Sequence, residues 1–443
     1  MRLVTRTMVV SKVVRGSTKS SSSLSRLVGK GLRRTGGRVS KHISLGGKAT
    51  GPLSGVKVAD FSAVFSGPIC AGMLGDQGAD VIKIEAFTGD MMRRGLPQSN
   101  GMGSAFTTMN RNKRSLCLDL QNPEGKEIAI KLICNSDVVL ENFRPGVMKR
   151  LGLGYEVFKY DQPKLVYASI NGVGDHGPYA NRRVYDAVIQ AISGFAALKG
   201  DAAPEMVNSL VCDKITSLTA AEAIVAALFQ AERSGHGQKV DISMLDAALS
   251  FLWPDTMNNF TFLEPGVERV PYLDHSVFLH ETKDGWIATM PVQDAEVFGV
   301  FRALDYAHLT EDERFFDQTS RARHREELHT LMDAAYRRFT TKELSARFEH
   351  EDVPYSLIND REEVMADPQV EAMDALLTYD HPKAGLVRTP RPAAQYTETP
   401  SNIRAHTPAL GEHSHEILSE LGYSTTQIRS LHESAVVYTS PSV

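Results

Sequence analysis

Short apolar runs alternate with helix-like segments between residues 55 and 170, and this alternation restricts the possible folds more than any other feature. Five of the runs are predicted strands: "GVKVADFS" (55–62), "DVIKIE" (80–85), "SLCLDL" (115–120), "DVVLEN" (137–142) and "KLVYASI" (164–170). Helical spacing follows the first and third strands, in "GPICAGMLGDQGA" and "NPEGKEIAIKLICNS". Since parallel strands need long crossovers, the pattern predicts an α/β fold, an open parallel sheet with helices on both faces.

Two helices are defined by their local sequence. One begins with Asn122 as N-cap and Pro123 at the first helical position. The other is the Ala-rich stretch after Asp213, for which Gly235 is a plausible end. "KVDISMLDAALSFLW" then predicts a further strand followed by a helix.

In open α/β sheets, ligands bind beyond the carboxyl ends of the strands. This rule points to three loops, residues 62–68, 141–146 and 171–186. No G-x-G-x-x-G opens the first helix, and no G-x-x-x-x-G-K-[ST] occurs in the chain. A dinucleotide enzyme and a P-loop NTPase are therefore disfavoured.

The length of 443 residues predicts more than one domain. We assign residues 51–254 to a large domain that is completed by residues 386–443. Residues 255–385 form a smaller α+β domain, in which "HETKDGWIATM" predicts a hairpin turning at Asp284-Gly285.

Composition excludes several classes of protein. The net charge of −4 gives no general attraction to nucleic acid, and no run of about eighteen apolar residues predicts a membrane span. The four cysteines (Cys70, Cys117, Cys134 and Cys212) are widely spaced. This spacing argues against a disulfide framework or a zinc site and suits a reducing compartment.

The first acidic residue of the chain is Asp60, so every Lys, Arg, Asp or Glu before it is basic. It is rich in Arg, Lys and Ser and includes "STKSSSSLS". Such composition is typical of a mitochondrial transit peptide, with a disordered basic arm as the alternative. We therefore expect residues 1–50 to be a leader-like disordered arm, and we expect the mature protein in the mitochondrial matrix.

Asp213 has two interpretations that the local sequence leaves open. As an N-cap, its carboxylate would accept a backbone N–H at the start of the Ala-rich helix. However, Thr219 to Glu222 form a capping-box pattern six residues later, which offers a competing helix start. The alternative is that the carboxylate performs chemistry.

Two other polar clusters also have alternatives. Arg111, Lys113 and Arg114 precede a strand and fit either a solvated turn or a phosphate clamp. His413 and His415, flanked by acids in "GEHSHE", open a predicted helix, on which residues i and i+2 point apart. We therefore predict solvated helix-start residues there and no metal site.

Ordered motifs over most of residues 52–443 are similar to one family. "PLSGVKVADFSAVFSGPICAGMLGDQGADVIKIE", "NRNKRSLCLDLQNPEGK", "DVVLENFRPGVMKRLGLGYE", "GHGQKVDISMLDAAL", "ADPQV" and "ALGEHSHEILSELG" resemble the class III CoA-transferase family. The resemblance implies a Rossmann-like large domain, a smaller domain and an interlocked homodimer. It also implies acyl-CoA and small carboxylic acids as substrates, with no permanently bound cofactor.

The family resemblance implies that Asp213 is the nucleophile and passes through an aspartyl-CoA thioester. It further implies a set of residues around CoA, of which Arg150 and Arg182 are candidates for phosphate contact. The set is Phe65, Ser66, Leu118, Asp119, Leu120, Gln121, Asn142, Phe143, Arg144, Arg150, Arg182, Arg183, Val184 and Tyr185.

The chain departs from parts of the family. Ala86 replaces an arginine of some relatives, and the glycine-rich loop of some formyl-CoA transferases is not visible. The α-methylacyl-CoA racemases of this fold have Gly-His-Asp where this chain has Val184-Tyr185-Asp186. Because a phenol is a poor base at neutral pH, a transferase is favoured over a racemase. The presence of Asp213 favours a transferase over a non-catalytic CoA-binding protein. The leader-like arm and Arg182-Arg183 favour succinyl-CoA as donor and a dicarboxylate such as glutarate as acceptor.

Overall fold

The computed structural model describes residues 40–198, 203–267, 269 and 278–440. Its largest sheet has the strand order β7-β3-β2-β1-β4-β5-β6. In chain order the strands are β1 (Lys57–Asp60), β2 (Asp80–Glu85), β3 (Lys113–Leu118), β4 (Val138–Glu141), β5 (Val166–Asn171), β6 (Lys239–Ser243) and β7 (Val437–Tyr438). Strands β1 to β6 pair in parallel, and only β7 runs antiparallel to its neighbour β3. The predicted α/β fold with an open parallel sheet is confirmed.

Capping residues define one end of each of two helices that were predicted from the sequence. Asn122 accepts a hydrogen bond from the backbone N–H of Glu124, and Gly235 ends a helix with φ of 77°. Both predicted boundaries are therefore confirmed. The α-helices are α1 (Ser66–Asp76), α2 (Ser104–Met109), α3 (Pro123–Cys134), α4 (Val147–Leu151), α5 (Tyr155–Phe158), α6 (Asp186–Ser193), α7 (Val211–Ser234), α8 (Met244–Leu252), α9 (Asp294–Ala303), α10 (Gln318–Arg323), α11 (Arg325–Tyr336), α12 (Thr341–His350), α13 (Pro368–Ala372), α14 (Ser414–Glu420) and α15 (Thr425–Glu433). Short 3-10 helices cover Met91–Arg94, Phe195–Ala197, Asn258–Phe260, Ala307–Glu311 and Glu363–Ala366.

Apolar layers cover both faces of the sheet, as the near-continuous apolar strands require. Along β1, Val58 and Ala59 point to opposite faces and join different buried clusters. One cluster packs the sheet against α3, α14 and α15, and the other packs it against α1 and α7. The N-termini of α1 and α7 are thereby fixed near the carboxyl ends of the strands.

Strands β2 to β6 are added on opposite sides of β1, although β1 to β6 all run in parallel. The chain proceeds from β1 to β2 and β3 on one side and then to β4, β5 and β6 on the other. The loops after β1 and β4 consequently leave the sheet in opposite directions and open a crevice between them. Such a topological switch point is where doubly wound sheets bind their ligands.

Residues 278–390 form two smaller sheets. Leu279–Glu281, Trp286–Thr289 and Tyr355–Leu357 pair antiparallel, so the predicted hairpin at Asp284-Gly285 is confirmed. An apolar cluster of this region includes Ile287, Phe301 and Tyr336. A second hairpin joins Leu376–His381 to Gly385–Pro390, and a two-stranded ribbon joins Gln98–Ser99 to Met102–Gly103. The domain boundaries stay a prediction; the one at 385/386 falls within this second hairpin.

Residues 40–50 correct the prediction of a disordered arm over residues 1–50. The strand Lys41–His42 pairs in parallel with Leu377 and Thr378, and Gly46 N–H donates to the Arg404 carbonyl at 2.7 Å. Backbone pairing of this kind holds the segment against the body of the protein, so it is folded. Residues 1–39 lie outside the described residues. In the described chain, no helix combines the length and apolar character needed to cross a bilayer.

Candidate active site

A cavity of about 310 Å³ opens at the switch point. The loops after β1, β4 and β5 line it, as the strand-end rule predicts, together with Asp213 and Met244. We call it the switch-point cavity. Ten of the residues singled out from the sequence line it: Phe65, Ser66, Asn142, Phe143, Arg144, Arg182, Arg183, Val184, Tyr185 and Asp213.

The N-cap interpretation of Asp213 is wrong. Helix α7 begins at Val211, so Asp213 already lies in its first turn, and the N-cap residue is the apolar Leu210. The carboxylate of Asp186 accepts the backbone N–H of Asp213 at 3.0 Å. A distant acid therefore caps α7 and leaves the Asp213 side chain free for the cavity. The competing start at Thr219 is also wrong, because Thr219 lies inside the helix and its hydroxyl donates to the Ile215 carbonyl.

Ser66, the first residue of α1, lines the same cavity as Asp213, and its backbone N–H and hydroxyl lower the pKa of the Asp213 carboxyl group. The Ser217 hydroxyl is 2.7 Å from both the Ser66 and the Asp213 carbonyl oxygens, which ties α1 to α7. Burial raises the pKa of Asp213 to about 6, the charge of Asp186 adds to this, and the Ser66 hydrogen bonds oppose it. With a pKa of about 6, roughly nine-tenths of the group is ionised at pH 7. The result is an ordered, partly desolvated carboxylate.

The loop that presents Ser66 has an unusual backbone. Val64 has φ of 74°, a left-handed conformation that is costly for a β-branched residue. The Asn142 side-chain amide makes two 2.8 Å hydrogen bonds to the Ala63 backbone, one to its N–H and one to its carbonyl. Asp90 accepts the Val64 N–H at 3.2 Å. The loops after β1 and β4 are thus fixed to one another, and the amide of Asn142 is used within the protein.

Beneath this loop lies a buried network of charges. Lys113 Nζ is 2.9 Å from Asp60 Oδ2, and both side chains are fully buried. Lys83 Nζ is 3.2 Å from Asp90 Oδ2 and donates to the Ser62 carbonyl at 2.7 Å. The network holds the β1 loop from below, because Asp60 also accepts the Ser62 N–H at 3.0 Å.

Both interpretations of the basic cluster at residues 111–114 are therefore wrong. Arg111 pairs with Asp76 at 2.6 Å, and Arg114 pairs with Asp80 at 2.6 Å and also with Glu416 and Glu420. Lys113 and Arg114 belong to β3, which starts two residues before the predicted strand. These cations form ion pairs with acids of the protein, so the cluster is neither a solvated turn nor a phosphate clamp.

His413, at the start of α14, was predicted to be solvated but makes a hydrogen bond within the protein. His413 Nδ1 accepts the Ser115 backbone N–H at 3.3 Å. Glu416 accepts from Arg114 at 2.9 Å. This segment of the chain anchors α14 to the edge of the large sheet.

Arginines around the switch-point cavity are arranged differently. Arg144, Arg182 and Arg183 are exposed and line the cavity. The Arg182 guanidinium lies 3.8 Å from the Tyr179 ring centroid, a cation–π geometry that preorganises it. Within the part of the chain that the structure describes, none of the three makes an ion pair. Their positive charges are available to an anionic ligand.

Leu118, Asp119, Leu120 and Gln121 line a separate cavity of about 340 Å³. This adjoining cavity shares Ala63 and Phe143 with the switch-point cavity, so Phe143 stands between the two. Among the described residues, Arg150 is outside the lining of both cavities and lies exposed on α4.

Two buried acids at the site were not identified as site residues from the sequence. Asp186, at the start of α6, accepts from Gln190 at 2.6 Å as well as from Asp213. Glu141, the last residue of β4, accepts the Phe143 N–H at 2.8 Å and the Ser169 hydroxyl. Burial raises the pKa of Glu141 to about 7, although the Ser169 hydroxyl opposes this. The sequence signal was their position, since Glu141 is the first residue of the predicted loop 141–146 and Asp186 is the last residue of the predicted loop 171–186.

Comparison with known proteins gives a consistent result. The family model described as CoA-transferase family III matches residues 53–414. An acyl-CoA transferase of Fusarium pseudograminearum is 33% identical over 408 residues, 87% of this chain and 88% of that protein. The human succinyl-CoA:glutarate CoA-transferase is 32% identical over 394 residues, 87% of this chain and 90% of that protein.

A solved structure agrees with the fold. The crystal structure of a CAIB/BAIF family protein from Brucella suis superposes with a TM-score of 0.72 at 30% sequence identity. The superposition covers 84% of this chain and all of that one. The similarity therefore extends over most of the chain.

Proposed function

Since this chain belongs to CoA-transferase family III, we propose that it transfers CoA from succinyl-CoA to a dicarboxylate such as glutarate, with Asp213 as nucleophile. The resemblance noted from the sequence is confirmed, and the chain is a CoA-transferase. One observation supports Asp213 most strongly. Its partly desolvated carboxylate lines a cavity at the topological switch point, together with arginines that make no ion pair with the described residues.

The proposed reaction has four displacements. The Asp213 carboxylate attacks the donor thioester, which gives a mixed anhydride and CoA thiolate. The thiolate attacks the aspartyl carbonyl, releasing the donor acid and leaving an aspartyl-CoA thioester. The acceptor carboxylate then attacks that thioester and releases the thiolate. Finally the thiolate attacks the acceptor carbonyl of the new anhydride, giving the new acyl-CoA and free Asp213.

The surroundings of Asp213 suit these steps. A pKa of about 6 keeps the carboxylate ionised at pH 7 while raising its basicity as a nucleophile. No proton transfer is required, so the lack of a histidine at Tyr185 is no handicap for this chemistry. Tyr185 is 65% exposed, and Asp186 already bonds to Asp213 and Gln190, which disfavours a two-base racemase.

We place CoA across Phe143. The thiol must reach Asp213 in the switch-point cavity, so the nucleotide end extends toward the adjoining cavity at Leu118–Gln121. In the switch-point cavity, Arg182 and Arg183 are then positioned for the second carboxylate of the substrates. Arg150 lies outside both linings, which weakens the idea that it contacts phosphate.

The test of this proposal is the Asp213→Asn variant, with Asp161→Asn at the exposed surface as its control. We expect loss of succinyl-CoA:glutarate transfer by at least 10³-fold in Asp213→Asn, because an amide cannot form the anhydride. The melting temperature should be equal or higher, since burial disfavours the charge that is removed. Transfer that persists in Asp213→Asn would contradict the proposal.

Oxygen-18 tracing distinguishes the covalent route from direct exchange. With both glutarate carboxylates labelled, the final displacement leaves one acceptor oxygen on Asp213. Either oxygen of the Asp213 carboxylate can attack the next succinyl-CoA, so over successive turnovers the labelled oxygen passes to released succinate. We expect labelled succinate and, after hydroxylamine trapping, a hydroxamate at Asp213 by peptide mass spectrometry. Unlabelled succinate would exclude the anhydride route.

We also propose that the protein forms a homodimer. Large apolar side chains stay exposed on α7, on α8 and just after α8, and Leu263 is 91% exposed. The others include Leu218, Phe229, Phe251, Trp253 and Phe262. So many exposed large apolar side chains between residues 218 and 263 favour an interface with a second copy of the chain. Light scattering should give twice the mass of one chain, whereas a monomer mass would contradict the dimer.

Mitochondrial matrix import also belongs to the proposal. The arm before Asp60 has no acid, and Lys41–His42 is already paired with the folded body. We therefore expect the leader to be cleaved before Ser40. The N-terminus of protein isolated from mitochondria, measured by mass spectrometry, tests this directly.

A further inference from the structure

A second cavity lies among residues 278–336 and encloses about 420 Å³. Among the described residues it has no lining residue in common with the switch-point cavity. Its walls are mainly apolar and include Met290, Val292, Val300, Leu328 and Met332. The volume lies within the roughly 300–1,000 Å³ of small-molecule sites. We call it the 278–336 cavity.

One positive charge in this cavity is not neutralised by any residue that the structure describes. Arg321 pairs with Asp294, and His329 Nδ1 is 3.3 Å from Asp333 Oδ2. Arg325, in contrast, is half-buried and makes no hydrogen bond, ion pair or ring contact with the described part of the chain. A guanidinium beside apolar walls is a strong attractor for a carboxylate, because it can bind both oxygens.

A buried polar atom supports this assignment independently. The His280 ring lines the cavity and stacks on Tyr336 with centroids 3.8 Å apart. Its Nδ1 is buried and lacks a hydrogen-bond partner among the described residues; the nearest acid, Asp333, is 3.7 Å away. Buried polar atoms are normally satisfied, so this one indicates a missing partner. Burial lowers the pKa of His280 to about 4, and the imidazole is therefore neutral at pH 7.

We propose that the 278–336 cavity binds an apolar monocarboxylate of medium chain length, with its carboxylate on Arg325 and its alkyl chain against Val292, Val300 and Leu328. Among the described lining residues only Arg325 is a cation without a partner, which suits one carboxylate and does not suit the several phosphates of CoA. This ligand class differs from the short dicarboxylates of the proposed reaction. The site is thus independent of the transfer chemistry.

Calorimetric titration of octanoate into the full-length Asp213→Asn protein tests the site without turnover. We expect one octanoate per chain and at least 10-fold weaker binding in Arg325→Gln. The matched control is Arg323→Gln, an exposed arginine two residues away on α10 that does not line the cavity. Arg182→Gln should also leave octanoate binding unchanged, which separates this site from the switch-point cavity.

Two further measurements keep the test decisive. Val292 is 71% exposed at the cavity edge, so Val292→Trp should obstruct the site without disturbing the core, and should weaken octanoate binding. 1-Octanol, which lacks the carboxylate, should bind at least 10-fold more weakly than octanoate. The proposal is overturned if octanoate does not bind, if Arg325→Gln binds it normally, or if 1-octanol binds equally well. Since the readout is binding to an inactive variant, failure of the proposed transfer reaction would leave it unaffected.

Discussion

Basic side chains occur in two regions that resemble each other in sequence and differ in structure. The cluster at residues 111–114 enters β3 at its amino end, and each cation there meets an acid of the fold. Arg182 and Arg183 follow the carboxyl end of β5, where no acid of the described chain forms an ion pair with them. The comparison teaches that the end of the strand, rather than the local charge, decides whether a cation stabilises the protein or stays available to a ligand.

The largest expected effect comes from the first region. Lys113→Met leaves Asp60 fully buried without a counter-charge, which should lower the free energy of unfolding by about 3–5 kcal/mol. Urea unfolding followed by circular dichroism measures this. The double variant Asp60→Asn/Lys113→Met should recover part of the loss, because it removes both charges. Equal stability of the single variant and the wild type would show that the buried pair contributes nothing.

The second region should respond in kinetics and leave stability unchanged. Arg182→Gln or Arg183→Gln removes a charge-assisted hydrogen bond worth about 1.5–3 kcal/mol, or roughly 10–100-fold in kcat/KM. The melting temperature should stay the same, because both side chains are exposed. Arg361→Gln, at another exposed position, is the control. If Arg182→Gln or Arg183→Gln lowered the melting temperature and left activity unchanged, these arginines would stabilise the fold as the cluster at residues 111–114 does, and would not bind a ligand.

Sequence patterns predicted most of what is local or repeats along the chain. The five apolar strands, the Asn122 cap and the Gly235 helix end all correspond to the structure. The three ligand-binding loops followed from the strand-end rule, because parallel strands bring their carboxyl ends to one edge. These features depend on neighbouring residues and on a general rule of topology.

Features that depend on distant contacts could not be predicted. The N-cap interpretation of Asp213 failed because Asp186, 27 residues earlier, supplies the acceptor at the start of α7. The partners of Arg111 and Lys113 are likewise 35 and 53 residues away. Local charge and spacing contain no information on which acid the fold will bring to a given cation.

Asp186 is buried and accepts the backbone N–H of Asp213, which lines the switch-point cavity. Its replacement therefore tests whether a buried acid of the fold also affects the chemistry of the cavity. Asp186→Asn removes one of the charges that raise the pKa of Asp213. Activity should fall as pH drops through the pKa of Asp213, because a protonated carboxyl group is a poor nucleophile. The acid limb of kcat/KM, near pH 6 in the wild type, should therefore move to lower pH in the variant.

The control for this shift is stability, because Asp186→Asn keeps only one of the two oxygens that accept from Gln190 and Asp213. We expect a modest decrease in melting temperature that is the same at every pH above the limb. An acid limb that stays near pH 6, or moves upward, would show that Asp186 acts on Asp213 only by positioning its helix.

The smallest expected effect concerns Glu141, a buried acid beside the cavity that has no cationic partner within hydrogen-bond distance among the described residues. Its pKa in the folded protein, about 7, is above its ordinary value of 4.5. The folded state therefore keeps a proton that the unfolded state releases, and the stability contributed by Glu141 is lost as pH rises through 7. Glu141→Gln lacks this dependence, so the melting temperature of the variant relative to wild type should increase from pH 5 to pH 8. A constant difference in melting temperature across that range would mean that Glu141 is charged throughout. Its protonation would then not differ from that of the ion-paired acids Asp60 and Asp90 under the β1 loop.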